Sequence, residues 1–246
     1  GQNEIDFRCA SPLQAADDLM TVHTVVKAIA GQNGLYASFL PKPLPEKSGS
    51  GLHLNFSLLH GGRNVFEDFQ TAPDPMAAAF LAGILRRVPE LTVFTNPLPG
   101  SYQRLGCCEA PGVVSWPCQN RSSLVRVPAA RGADCRMELR SPDAACNPYY
   151  AVALLLEAGL EGVRENLPLP PAASGDLLAG AKTGGCALPK TLTEAVRLAE
   201  QSEFLRRMLP ARLLDAYLDR KRRDAAAWAA APDPHWYEMQ TYFDRV

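Results

Sequence analysis

The 246-residue chain sets 25 Lys+Arg against 26 Asp+Glu, a net charge of -1, with 47% hydrophobic and 21% charged residues. This balance fits a folded globular chain, excludes an intrinsically disordered one, and offers no basic footprint for nucleic acid or an anionic membrane surface. No apolar run approaches the ~20 residues of a membrane span, and seven cysteines, none in Cys-x-x-Cys spacing, point to a reducing cytoplasm.

In chain order, residues 4–9 alternate Ile5, Phe7 and Cys9 with Glu4, Asp6 and Arg8, which predicts a half-buried strand at once. A chain that opens inside a strand reads as part of a longer protein whose upstream half is missing. Ser11, Pro12 and Gln14 predict a capped helix start, with Leu13, Ala16, Met20 and Ile29 as the buried stripe and Gly31 as the stop. Residues 36–40 are a weaker strand candidate. Residues 42–51 form a Pro/Gly/Ser loop that is not a Walker A motif, because no Gly-Lys-Ser/Thr closes it into a helix. Residues 52–58 alternate Leu52, Leu54, Phe56 and Leu58 with His53, Asn55 and Ser57, a second strand.

A helix is expected over 76–88 and a weaker strand over 113–116. Strands follow at 123–127 and 135–140, the latter setting Cys135, Met137 and Leu139 against Arg136, Glu138 and Arg140. Asn147-Pro148 opens a helix toward Gly162, and residues 167–188 read as a surface loop. Thr191-x-x-Glu194 caps a helix to about Leu209; another spans 211–229 and a short one follows Pro234. No regular βαβ rhythm appears, so the fold class is α+β, with a mainly antiparallel sheet and flanking helices. One domain is expected over 1–246: a mixed part at 1–166, a loop at 167–188 and a helical C-terminal tail at 189–246.

If the strands share one sheet, their polar faces converge as Glu4, His53, Asn55, Ser57, Arg126, Arg136, Glu138 and Arg140. Carboxylates with an imidazole suit Mg²⁺ or Mn²⁺, and the arginines suit phosphate or carboxylate. That combination serves phosphoryl transfer, where charge on the moving group must be neutralised in place. Each residue also has a bland reading: a solvated strand Glu, a structural His, an Arg136–Glu138–Arg140 cross-strand ladder.

Collinear motifs carry a resemblance. Gly1-Gln2-Asn3-Glu4, Phe39-Leu40-Pro41-Lys42-Pro43 and Gly49-Ser50-Gly51-Leu52-His53 come first. Asn96-Pro97, Ser101-Tyr102-Gln103-Arg104-Leu105, Glu109-Ala110-Pro111 and Asn120-Arg121-Ser122 follow. Arg126-Val127-Pro128, Arg136-Met137-Glu138-Leu139-Arg140-Ser141-Pro142-Asp143 and Asn147-Pro148-Tyr149 complete the series. Together they resemble the carboxy-terminal catalytic domain of bacterial-type glutamine synthetase, which implies a curved sheet and an ATP-dependent glutamate–ammonia ligase.

By that resemblance Glu4 binds one metal, and His53 and Glu138 bind another, Mg²⁺ or Mn²⁺. Asn55, Phe56 and Ser57 border ATP, and Arg121, Arg126 and Arg136 hold its phosphates and the transferring group. Arg104 and Arg140 bind glutamate, Gly49 lines its pocket, and Glu109 sits on the loop that closes over the site and admits ammonium. Glu109, Arg121 and Arg140 are the expected catalytic residues. The family's amino-terminal β-grasp domain, its Glu-x-Glu metal pair and one further Glu have no counterpart in these residues, and an Asp from a neighbouring subunit completes each family site. The resemblance therefore implies a homo-oligomeric ring for the full-length protein and an inactive fragment for residues 1–246 alone.

This sequence also departs from the pattern. Asn55 stands where the family usually has a second His, Ser48 where it has Asn, and Cys107-Cys108 where it has Gly-Tyr before the closing-loop Glu. These differences leave open a γ-glutamyl ligase acting on a larger amine. A guanidino kinase or a non-catalytic relative fits the motifs less well. No nucleic-acid or membrane partner is expected.

Overall fold

The computed structural model describes residues 2–116, 123–130, 132–173 and 186–246. The expected strand at 4–9 is absent: residues 2–11 run irregularly, and Ile5 and Phe7 are exposed. Alternation supplies two faces, but a strand also needs a neighbour for its backbone N–H and C=O groups, and none of the described residues pairs with this segment. Gln2 instead donates to the Gly49 carbonyl at 2.8 Å.

Helix α1 (Pro12–Gln32) starts at Ser11 as expected, yet no capping box forms, because Gln14 donates to Asp18 Oδ1 at 2.7 Å. Its expected stripe is corrected as well. Ala16 and Leu19 are buried, whereas Leu13, Met20 and Ile29 are 66%, 42% and 53% exposed. Among the described residues the helix packs mainly on α4, with His23 also stacked on Phe39, so just part of its apolar surface is covered. Gly31 lies inside the helix, and Asn33 ends it by donating to the Ile29 carbonyl at 2.8 Å.

Strand β1 (Leu54–Phe56) is followed by a hairpin of β2 (Leu59–His60) and β3 (Arg63–Asn64), turned by Gly61 and Gly62 at positive φ. Helix α2 (Pro75–Thr95) is capped by Asp74, which accepts from Met76 N at 2.8 Å. It runs a full seven residues past the expected stop at Val88 and straight through Pro89. Burial along most of the helix, from Phe80 to Leu85 and from Leu91 to Thr95, overrides the cost of an interior proline.

Helix α3 (Pro99–Arg104) was not foreseen. Strands β4 (Val125–Arg126) and β5 (Met137–Leu139) join β1 in an antiparallel sheet of order β1-β5-β4. The weaker strand candidates at 36–40 and 113–116 form no ladder; Val113 makes a single bridge to Ala187. A lone bridge gives too little pairing to hold a strand, and the chain there follows the loops instead.

Helix α4 (Pro148–Arg164) is capped by Asn147, which accepts from Tyr149 N and Tyr150 N. It lies against α2 at near backbone contact: a Cβ at Gly83 would overlap the Ala158 carbonyl, and one at Gly162 would overlap the Ala79 carbonyl. Glycine is required there by proximity rather than by torsion. The helix expected from Thr191 to Leu209 is broken into α5 (Leu192–Glu200) and α6 (Glu203–Met208). Ser202 restarts it by accepting from Leu205 N at 3.0 Å, a new N-cap inside one apolar pattern. Helices α7 (Ala211–Ala230) and α8 (Pro234–Tyr242) follow. Among the described residues no helix is long and apolar enough to cross a membrane. Residues 174–185 of the expected 167–188 loop lie outside the described residues.

The core sits between the sheet and helices α2, α4, α5 and α7, where Phe56, Phe80, Met137, Leu139, Leu155 and Phe204 meet. One ionic cluster ties three helices together. Glu161 of α4, with its side chain 4% exposed, takes Arg86 and Arg87 of α2 at 2.8 and 2.7 Å and also pairs with Arg207 of α6. Burial alone would raise the Glu161 carboxyl, but hydrogen bonds from Arg87, Arg86 and Arg207 outweigh it and push it down to about 2. The architecture is thus α+β, with small antiparallel sheets held on a helical body.

Candidate active site

Strand register assembles the site. Asn55 on β1 stands opposite Glu138 on β5, and Glu138 stands opposite Arg126 on β4. Residues in such a cross-strand row share one face. His53 and Asn55 lie two apart on the first strand's line, and Arg136, Glu138 and Arg140 two apart on the fifth's, so all project to the same side.

The side chains then pair. His53 Nδ1 donates to Glu138 Oε1 at 2.9 Å, Arg126 Nε lies 2.6 Å from Glu138 Oε2, and Arg140 Nε lies 3.7 Å from Glu138 Oε1. Arg136 Nε donates to Asn55 Oδ1 at 3.0 Å, and its Nη1 donates to the Asp134 carbonyl at 2.9 Å. Glu138 is buried, and burial would raise its carboxyl. The His53 hydrogen bond and the Arg126 and Arg140 charges outweigh that and hold it below the usual carboxylate range. A negative centre flanked by cations persists there across physiological pH.

Beneath this face lies a polar layer in which Arg104, expected to bind glutamate, meets Asn96, Ser141 and Asp143, to which no role was given. Arg104 is buried, and it donates to the Ser141 carbonyl at 2.7 Å and the Arg140 carbonyl at 3.2 Å. Asn96 Nδ2 bridges the Ser141 carbonyl (2.8 Å) and Asp143 Oδ2 (2.9 Å). Burial raises the Asp143 carboxyl, and the Arg104 charge and the Ser101 and Asn96 hydrogen bonds offset it only partly. The 42–51 loop rests on Arg104: Ser50 N donates to the Pro41 carbonyl at 2.9 Å, and a Cβ at Gly49 or Gly51 would press on the Arg104 side chain. A buried Asn at the end of an apolar helix, as Asn96 is, was the available signal.

The structure brings His53, Asn55, Arg126, Arg136, Glu138 and Arg140 together. Glu4 and Ser57 are exposed, and no three His, Cys, Asp or Glu side chains converge among the described residues, so Glu4 does not join His53 and Glu138. The Phe56 side chain points to the other face, 6.3 Å from the Phe80 ring, leaving only its backbone toward the polar side. Gly49 lies on Arg104, and Glu109 is exposed on the loop after α3. Arg121 lies outside the described residues. Chemically, the face offers an imidazole and a carboxylate as paired donors beside three guanidinium groups, which suits a polyanionic ligand.

Comparison with known proteins agrees with this chemistry. Residues 1–242 match the family model described as "Glutamine synthetase, catalytic domain". A curated glutamine synthetase of Clostridium saccharobutylicum is 40% identical over 254 residues, covering all of this chain and 57% of the relative. One of Methanosarcina mazei is 42% identical, covering all of this chain and 56% of the relative. The chain thus spans little more than half the length of these relatives. Among solved structures, one titled as a GmaS/ADP complex superposes with a TM-score of 0.82 at 33% identity, covering 96% of this chain and 55% of that one. A GmaS structure without ligand gives the same TM-score and identity, covering 54% of that chain.

Proposed function

The chain belongs to the glutamine synthetase catalytic-domain family, and from that membership we propose that it supplies the floor of an ATP-dependent glutamate–ammonia ligase site. The observation that carries the reading is the Asn55–Glu138–Arg126 row, with His53, Arg136 and Arg140 on the same face. In the reaction, a side-chain carboxylate oxygen of glutamate attacks the terminal phosphorus of ATP and ADP leaves. Ammonia then attacks the acyl carbon and phosphate leaves.

Each residue has a task in that sequence. Arg126, Arg136 and Arg121 hold the phosphates; two of them are fixed in place, by Glu138 and by Asn55. Arg140 and Arg104 serve the glutamate carboxylates, Arg140 directly from the sheet and Arg104 from under the Gly49–Gly51 loop. Glu109 attracts ammonium as its loop closes, and Asn55 to Ser57 border the nucleotide. His53 and Glu138 fit a divalent cation by donor type, Mg²⁺ or Mn²⁺, with Glu4 for a second ion. The two hydrogen-bond to each other at 2.9 Å, and no third His, Cys, Asp or Glu joins them among the described residues, so they form part of a coordination set and not a whole one. When bound, the cation supplies charge neutralisation at the phosphates.

The working enzyme is read as a cytoplasmic homo-oligomeric ring, with residues 1–246 forming one catalytic domain. The test is an assay of the full-length protein with ATP, glutamate and ammonium, following phosphate release, beside a Glu138→Ala variant. Ammonium-dependent release that collapses in Glu138→Ala supports the reading; equal activity in the variant overturns it. A γ-glutamyl ligase for a larger amine is the second reading, favoured by Ser48 and by Cys107–Cys108 before Glu109. Replacing ammonium with a panel of alkyl amines separates the two.

A further inference from the structure

The loop between α3 and Glu109 carries adjacent cysteines with unusual geometry. In extended backbone, neighbouring side chains point to opposite sides. Here Cys108 sits at φ 58°, in the left-handed region that few non-glycine residues enter, two residues after Gly106 at φ 75°. The turn is held by backbone hydrogen bonds from Cys107 N to the Arg104 carbonyl (3.1 Å), Gly106 N to the Ala110 carbonyl (3.2 Å) and Ala110 N to the Cys107 carbonyl (3.1 Å). Both sulfurs therefore fall on one side, 3.3 Å apart, as free thiols. Cys108 is exposed and Cys107 half-buried. Lys42 is buried, donates to the Lys47 carbonyl, and places Nζ 3.7 Å from Cys107 Sγ.

We infer that Cys107 and Cys108 form a dithiol modification site that closes to a vicinal disulfide on reaction with a low-molecular-weight disulfide. The exposed Cys108 thiolate attacks one sulfur of the small disulfide, forming a mixed disulfide and releasing one small thiolate. The Cys107 thiolate, with the Lys42 ammonium beside it, then attacks Cys108 Sγ and expels the second. The protons of Cys107 and Cys108 end on the two released thiols, and the two electrons reduce the external disulfide. The sulfurs need to approach by about 1.3 Å to reach bonding distance. On the ligase reading above, closure stiffens the segment next to Glu109; the chemistry itself does not depend on that reading.

The chain is incubated with glutathione disulfide and digested with trypsin and a glutamate-specific protease, which frees residues 105–109 from Cys118. The expected fragment is lighter by two hydrogen atoms, carries no adduct and returns to its starting mass with dithiothreitol. In Cys107→Ser the reaction stalls as a glutathione adduct on Cys108, and phenylarsine oxide, which bridges paired thiols, no longer binds there. A lasting glutathione adduct on the wild-type fragment overturns the inference. So does a fragment that stays reduced while exposed Cys9 is modified, or a link from Cys107 to Cys118. None of these readouts requires turnover, so they fail or succeed separately from the ligase assignment.

Discussion

Arg136 Nε donates to Asn55 Oδ1 at 3.0 Å across the β1–β5 pair. The amide oxygen fixes a guanidinium whose other hydrogen bond, among the described residues, goes to the Asp134 carbonyl. Asn55→Ala removes that acceptor and lets Arg136 swing. For the full-length enzyme, the expected outcome is a rise in the KM for ATP of about tenfold, equivalent to about 1.4 kcal/mol of a hydrogen bond to a charged group. Steady-state kinetics with varied ATP check it, and an unchanged KM would show that Asn55 does not orient Arg136.

Glu161 offers a stability test away from the site. Glu161→Ala leaves Arg86, Arg87 and Arg207 facing one another across α2, α4 and α6. Removing one partner of a buried ion cluster costs roughly 3–5 kcal/mol. Because Arg86 and Arg207 reach solvent, we expect about 2–3 kcal/mol, read by urea unfolding. Its folded-state carboxyl is pushed down to about 2. The stabilisation is therefore present above the unfolded value of about 4.5 and is lost as pH falls toward 2. Wild type should lose stability through that window, and Glu161→Gln should lose less.

Glu238 runs the opposite way. It is buried on α8 and accepts from Gly100 N at 3.0 Å, but burial outweighs that bond and raises its carboxyl to about 7. Between about pH 4.5 and 7 the folded chain holds a proton that the unfolded chain has released, so stability falls as pH rises through that range. Glu238→Gln keeps the acceptor for Gly100 N without the buried charge. It should be more stable than wild type at pH 8 by about 1–3 kcal/mol and equal to it at pH 4.5. Parallel stability curves across that range would count against a raised carboxyl.

The α2–α4 contact has no slack. In Gly83→Ala the new methyl meets the Ala158 carbonyl, a backbone atom that can move only with its helix. Overpacking of this kind typically costs 1–3 kcal/mol, and we expect about 3 kcal/mol in urea unfolding. A neutral result would mean that the helices can part at little cost.

Much of this was legible from spacing. Period-two alternation at 52–58 and 135–140 predicted which side chains share a face, and the Asn55–Glu138–Arg126 row depends on that parity. The collinear motifs supplied the family. Residues 4–9 failed because alternation carries no information about whether a pairing partner exists. The stripe of α1 failed for a related reason: Leu13, Met20 and Ile29 are apolar at helical spacing, yet nothing among the described residues covers them. Helix α2 outruns the expected stop at Val88 because burial along most of its length counts for more than the local cost of Pro89. Asn96 and Asp143 were invisible as a layer, and Glu238 as a buried acceptor, because their partners come from distant parts of the chain.

The site's hydrogen bond from Arg136 to Asn55 spans 81 residues of sequence. Loop closure over that distance is an entropic cost that must be met before the contact returns anything, whereas α1, α2 and α4 close through bonds four residues long. Chain topology therefore sets an order of events: helical turns come early, and the row of paired charges comes only with the global fold. During refolding, far-ultraviolet circular dichroism should recover before the Glu138 environment does, and any partly refolded chain would display helices without the ordered row of paired charges.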